Sequence, residues 1–234
     1  MPAVKIATYN IRYGKGIDGK VSLSRIAGVL QQINPDIIAL QEMDKNRLRS
    51  YGAAQAKKLA KALKMNYVYG AVKRYCLGSY GNAVLTRYPI ISYQNHLLPD
   101  SKDPRCCLQV NLNVEGVTLS FFNIHLGLNH TVRMYNVEHF VIPLIKSINH
   151  PVILAGDFNV TADGEEIKML SPYLNDTFTH SQSFFKATFP SNRPVERIDY
   201  IFINNYCSCN EFDIINSQAS DHLPIKTQIG FTSC

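Results

Sequence analysis

The chain has 234 residues, 46% of them hydrophobic and 18% charged, which excludes intrinsic disorder and suits one large domain over residues 1–234. A net charge of +6 and a pI near 8.9 favour anionic partners such as nucleic acids, phosphorylated metabolites or anionic lipid surfaces, although the basic residues form no single long run. No segment approaches the roughly 18 uninterrupted apolar residues of a membrane-spanning helix. The opening MPAVKIATYN lacks a secretory signal's charged and apolar regions, so a cytoplasmic chain is expected.

In chain order, Val4–Asn10 has a strand pattern and is followed by a loop punctuated by Gly14, Gly16 and Gly19. Ser22 or Ser24 can cap a helix whose Ile26, Val29, Leu30 and Ile33 recur at helical spacing, and Pro35 ends it. Asp36–Gln41 is a short apolar run, hence a buried strand, that ends at Glu42. A second helix is expected over 51–63, with Lys57, Lys58, Lys61 and Lys64 on its polar side. Strand patterns then cover 68–72, 82–87, 90–96, 105–114 and 117–124, with Glu115-Gly116 as a two-residue hairpin turn. A third helix is expected over 131–148 and a buried strand over 151–155; strands at 198–203, 211–215 and 225–229 close the chain. No internal repeat or linker interrupts this order. Two strand-rich halves with flanking helices predict an α/β fold in which two sheets pack face to face.

Six cysteines are present: Cys76, Cys106, Cys107, Cys207, Cys209 and Cys234. Their spacing does not match a zinc site, so they read as buried or incidental thiols in a reducing compartment.

Polar and ionisable residues recur at the C-terminal ends of apolar strands. Asn10 closes the first strand, Glu42 the second, and His125 follows Leu119–Ile124. Asp157 and Asn159 follow the run beginning at Val152, and Asp221-His222 precede Leu223. Asp199 lies inside an apolar run, where an unpaired carboxylate would cost several kcal/mol, so it needs a partner. Asn, Glu and Asp supply the hard oxygens that Mg²⁺ prefers. A His and an Asp can form an orienting pair, and a second Asp can activate water. Phosphoester hydrolysis uses such a set.

Six motifs carry a resemblance: Ala-Thr-Tyr-Asn-Ile, Leu-Gln-Glu, Asn-Ile-His-Leu, Gly-Asp-Phe-Asn, Arg-Ile-Asp-Tyr-Ile-Phe and Ser-Asp-His-Leu-Pro. Together, in this order, they resemble the endonuclease/exonuclease/phosphatase superfamily. The resemblance implies a four-layer α/β sandwich, with two mainly antiparallel sheets and helices outside. It also implies an Mg²⁺- or Mn²⁺-dependent hydrolase using a metal-bound, Asp-activated water. On that basis Asn10, Glu42 and Asp221 are expected near the metal. Asp157 is expected to handle the water proton, Asn159 to bind phosphate, and His222 to contact phosphate with Asp199 orienting it. His125 is expected near the phosphate or leaving group. Arg12 stands where some nucleases of the family carry an acid, and is expected to bind substrate phosphate, as is Asn82 in the same cleft. The absence of tryptophan and of a long basic loop favours a small or lipid-linked phosphoester substrate over nucleic acid, which is kept as the alternative. A monomer is expected.

Overall fold

The computed structural model describes residues 3–100, 103–181 and 183–231. Its strands are β1 (Ala3–Asn10), β2 (Ile37–Lys45), β3 (Asn66–Arg74), β4 (Ser79–Thr86), β5 (Ile90–Leu98), β6 (Arg105–Val114), β7 (Val117–His125), β8 (Val152–Asp157), β9 (Asn175–Asp176), β10 (Asp199–Ile203), β11 (Cys207–Ile214) and β12 (Ile225–Phe231). Helices α1 (Leu23–Ile33), α2 (Gln55–Leu63), α3 (His130–Asn136), α4 (Ile142–Lys146) and α5 (Glu165–Leu170) complete the regular elements.

The strands form two six-stranded sheets, ordered β11-β12-β1-β2-β4-β3 and β5-β6-β7-β8-β10-β9. Among the strand pairs of the described residues, β1–β2 and β7–β8 are parallel and the others antiparallel. The four layers follow from strand alternation, because neighbouring apolar residues point to opposite faces. Ile6, Ile37 and Val84 of the first sheet meet Phe121, Ile153 and Ile201 of the second in the central core. Their chain neighbours Ala7, Ile38 and Leu85 instead pack beneath Ile26 and Leu30 of α1 and Leu59 of α2. On the other side, Phe122, Leu154 and Phe202 pack under Val141, Ile145 and Leu170. Continuous apolar runs such as Val152–Ala155 are therefore buried on both faces, as a strand sandwiched between two layers must be.

Ser22 is the cap of α1, its hydroxyl accepting from the Arg25 N–H, and Asn34 ends the helix in a left-handed conformation before Pro35. Three expectations need correction. β2 does not stop at Glu42: its register shifts between Leu40 and Met43, Glu42 takes φ +58°, and the strand runs on to Lys45. The second helix begins at Gln55, since residues 46–53 form a closed turn in which the Asn46 N–H donates to the Ala53 carbonyl. The third helix is interrupted by a π turn at Val137–Val141, just before Pro143 at the start of α4. Proline cannot donate to a carbonyl four residues back, and the wider turn absorbs that defect. Helix α5 and strand β9 are too short to show a sequence period. Cys106, Cys107, Cys207 and Cys209 are buried free thiols and Cys76 is exposed, whereas Cys234 lies outside the described residues. Among the described residues, no helix is long and apolar enough to cross a membrane.

Candidate active site

Strand register assembles the centre of the site. Across three neighbouring strands of the second sheet, His125 of β7 pairs with Asp157 of β8, and Asp157 pairs with Asp199 of β10. The three side chains thus stand in a row at one end of that sheet. The first sheet brings Asn10 at the end of β1, Glu42 in the β2 bulge, and Asp221-His222 in the segment before β12.

The two groups meet through short polar contacts. The Asn10 amide donates to Asp157 Oδ2 at 2.9 Å and lies 3.4 Å from Glu42 Oε1. His222 Nδ1 is 2.9 Å from Asp199 Oδ2, and its Nε2 faces Asp157 Oδ2 at 3.7 Å. His125 Nε2 approaches the same Asp157 oxygen at 3.5 Å. The Ser220 hydroxyl donates to the Asn10 carbonyl at 2.8 Å and lies 3.2 Å from Asp221 Oδ1, tying Asp221 to Asn10. Arg12 Nη1 is 3.2 Å from Asp221 Oδ2, so the arginine does lie at this site, paired with an acid. The Asn159 N–H donates to Asp157 Oδ1 at 3.0 Å, and its amide donates to the Leu126 carbonyl at 2.8 Å.

Asn82 stands apart. It is buried between the sheets, its amide directed at the Cys106 and Asn123 carbonyls at 3.4 and 3.5 Å. Arg49, Arg87 and Arg133 pair with Asp44, Asp36 and Glu166, while Arg197 pairs with Asp176 and leaves Asp199 to His222.

Burial and charge set the protonation states. Burial alone would push the His222 imidazole down, but the carboxylates of Asp199 and Asp157, with the Asp199 hydrogen bond, outweigh it and raise the group to about 10. His222 is therefore a cation held between two acids. Burial also raises Asp157, against the lowering effect of the His222 charge. His125 is held well below the usual histidine range by burial, then by the charges of Arg105 and His222.

Arg105 was not anticipated from the sequence. It is buried, and its Nη1 lies 3.3 Å from His125 Nδ1 and 3.4 Å from the Tyr80 hydroxyl. A guanidinium can only donate, so Nδ1 must accept and the proton of neutral His125 sits on Nε2, facing Asp157. The signal was available: an arginine opening the apolar run Arg105–Leu108 raises the same buried-charge question as Asp199.

Among the described residues of this site, two groups of side chains can be weighed as holders of a metal. Asp157, Asp199 and His222 bring ligand-type atoms within 4.8 Å of one another. A protonated imidazole bonded to Asp199 offers protons rather than lone pairs, so this trio suits proton handling better. Glu42 and Asp221 instead offer carboxylate oxygens, and Asn10 a side-chain oxygen that accepts from the Arg12 N–H at 3.1 Å, its amide N–H being turned to Glu42 and Asp157. Burial, reinforced by the Asp221 charge, raises the Glu42 carboxyl above its usual range, against a lowering hydrogen bond from Asn10. A divalent cation beside the two acids would relieve that strain, so these residues fit one.

The Endonuclease/Exonuclease/phosphatase family profile matches residues 7–222, which includes every one of these side chains. The chain belongs to the endonuclease/exonuclease/phosphatase family. Members of the family are generally hydrolases acting on phosphoester bonds. The uncharacterized protein YbhP of Escherichia coli K12 is 26% identical, covering 96% of this chain and 95% of that protein. The fold is similar to that of a Bacteroides vulgatus family member, with a TM-score of 0.84, 20% identity and coverage of 99% and 100% of the two chains. It is also similar to the mannosyl-6-phosphatase of Bacteroides thetaiotaomicron, with a TM-score of 0.79, 24% identity and coverage of 97% and 100%. Both family sheets, with their helices outside, are present here.

Proposed function

We propose that this chain is an Mg²⁺- or Mn²⁺-dependent phosphodiesterase or phosphatase acting on a small or lipid-linked phosphoester. The observation that carries the reading is the convergence on Asp157 Oδ2 of Asn10, His125 and the Asp199-held His222, at 2.9, 3.5 and 3.7 Å.

Asn10, Glu42 and Asp221 would hold the cation. When bound there it supplies charge neutralisation for the phosphoryl oxygens. The rest is done by the chain's own groups. Asp157, its carboxyl raised by burial, takes a proton from the attacking water, and Asn10 fixes the carboxylate's orientation. The water oxygen forms the new bond to phosphorus as the bond to the leaving oxygen breaks. His222, held as a cation by Asp199, offers its Nε2 proton to a phosphoryl or leaving oxygen. Neutral His125 adds a second N–H donor beside Asp157. Asn159 and Arg12 stand next to these groups with amide and guanidinium donors suited to phosphate.

The test is a panel of phosphomonoesters including sugar phosphates, phosphodiesters, phospholipids and nucleic acids, with Mg²⁺ or Mn²⁺. The structural likeness to a mannosyl-6-phosphatase is the reason for including sugar phosphates. Turnover should fall by about 10²–10⁴ in Asp157→Asn, with far-UV circular dichroism unchanged. Glu42→Gln should remove most metal-dependent activity in the same assay. Full activity in either variant, or in excess chelator, sinks the mechanism. Nicking of DNA with a steep salt dependence would replace the small-substrate reading with a nuclease.

A further inference from the structure

The positive charge is segregated along this chain. From Lys45 to Pro99 there are ten lysines and arginines and no aspartate or glutamate, so the remainder carries more acids than bases. Part of this acid-free stretch forms two neighbouring tips. One is the 46–53 turn that follows β2. The other is the 75–78 turn between β3 and β4, closed by the Tyr75 N–H donating to the Gly78 carbonyl at 2.9 Å. The tips are in contact: Gly78 leaves no room for a Cβ against the Lys45 carbonyl, and the Arg47 guanidinium lies 3.4 Å from the Tyr75 ring centre.

Large apolar side chains stand out on both tips. Leu48 is 75% exposed, Leu77 62% and Tyr51 81%. Around them, Lys45, Lys73 and Arg74 are exposed. Among the described residues, neither these three nor Arg47 forms an ion pair with a carboxylate. Between Lys45 and Arg74 lies a cavity of about 290 Å³ whose other walls include Tyr69, Ser79 and Asn95. It is a recess with two cations in its lining, neither of them in an ion pair among the described residues.

We propose that these tips are a docking face for an anionic lipid bilayer. Leu48 and Leu77 enter the boundary of the acyl region, Lys45, Lys73 and Arg74 meet the headgroups, and the recess receives one headgroup phosphate. Exposed leucines ringed by cations fit an interfacial membrane surface, where each aliphatic side chain loses water contact and each cation gains an anion. Nucleic acid fits less well, since aliphatic leucines add nothing to base stacking or phosphate pairing. The face adjoins the active site through packed side chains. Arg49 lies over Tyr13, next to Arg12, and near the ring of Tyr80, whose hydroxyl accepts from the Arg105 that reaches His125. The inference goes beyond the proposed hydrolysis and does not depend on it, because its test reads binding alone.

The experiment is co-sedimentation of the full chain with vesicles of phosphatidylcholine, alone or mixed with phosphatidylserine. Cys76, the exposed thiol between Tyr75 and Leu77, takes an environment-sensitive fluorophore in a Cys234→Ser background. The expected result is binding and a blue shift only with the mixed vesicles. Leu48→Ser with Leu77→Ser should weaken partitioning on the order of tenfold, and Lys45→Gln or Arg74→Gln roughly fivefold each. Absence of binding, equal binding to both vesicle types, or indifference to the leucine pair would overturn the proposal. So would single-stranded DNA shifting the Cys76 probe when the mixed vesicles do not.

Discussion

The cation on His222 depends first on one buried neighbour, Asp199, and next on Asp157. Asp199 is 1% exposed and spends one carboxylate oxygen on the imidazole, while its other oxygen has no hydrogen-bond partner among the described residues. Asp199→Asn keeps a hydrogen-bonding group but removes the charge, so the His222 titration point should move down, as ring-nitrogen NMR shifts would report. Catalytic turnover should fall by orders of magnitude in a chain that still folds. The Arg105 contact makes a separate prediction. Arg105→Met frees His125 Nδ1 to carry the proton, so kcat should drop about tenfold to a hundredfold with KM changed less. An unchanged kcat would make the arginine a packing residue only. These positions also show what the sequence can convey. An acid inside an apolar run announces a partner, which is why Asp199 could be singled out before any geometry was known. It does not say which partner: the resemblance points to His222, and the structure gives the distance. Asn82 shows the opposite limit: an amide opening a strand looks the same in sequence whether it faces a cleft or bonds backbone between two sheets.

At the scale of elements, backbone shape decides where the acids point. Gly156 takes φ +150°, and a Cβ there would sit 1.9 Å from the Ile124 carbonyl of the adjoining β7. Gly156→Ala must therefore push β8 off β7, and Asp157 with it. The expected outcome is a loss of at least about 2 kcal/mol in urea unfolding together with reduced turnover. The β2 bulge is the counterpart for Glu42, and it was invisible in the sequence because a strand that bulges and one that ends look alike when a polar residue follows an apolar run. On the outer face, Glu166 of α5 joins Arg133 of α3 at 2.7 Å and His130 at 3.1 Å. Burial opposes the charge on Glu166, yet its backbone and Arg133 bonds prevail and hold its carboxyl below the usual range. A depressed folded-state value means stability that is present above the unfolded carboxyl's pKa of about 4.3 and is lost as pH falls through the folded value. Glu166→Gln should consequently be less stable near neutrality and show a shallower loss of stability on acidification below about pH 4.3. Parallel acid-unfolding curves for the two proteins would refute this.

For the molecule as a whole, two sheets share one core and a small polar staple across it. Gln41 donates to Thr8 at 3.0 Å and to Asn123 at 2.8 Å, and the Asn123 amide donates to the carbonyls of Leu40 and Ala83 at 2.9 and 2.8 Å. Asn123→Ala would strand these buried groups, so it should cost about 2–4 kcal/mol by urea denaturation. The sandwich itself was legible, because alternation within Ile37-Ile38, Phe121-Phe122 and Ile153-Leu154 demands an apolar neighbour on each face. The staple was not, since nothing in the chain says that Asn123 lies opposite Gln41. Its location matters because the polar groups of the site are divided: Asn10 and Glu42 lie in strands of one sheet and Asp221 and His222 in the segment leading into its β12, while His125, Asp157 and Asp199 belong to the other sheet. The working geometry is thus a property of the seam and exists only while the two plates are in register. A slide of an ångström or so would separate Asp199 from His222 while leaving every strand intact. Catalytic competence then serves as a gauge of plate alignment, and on heating it should vanish before far-UV ellipticity does.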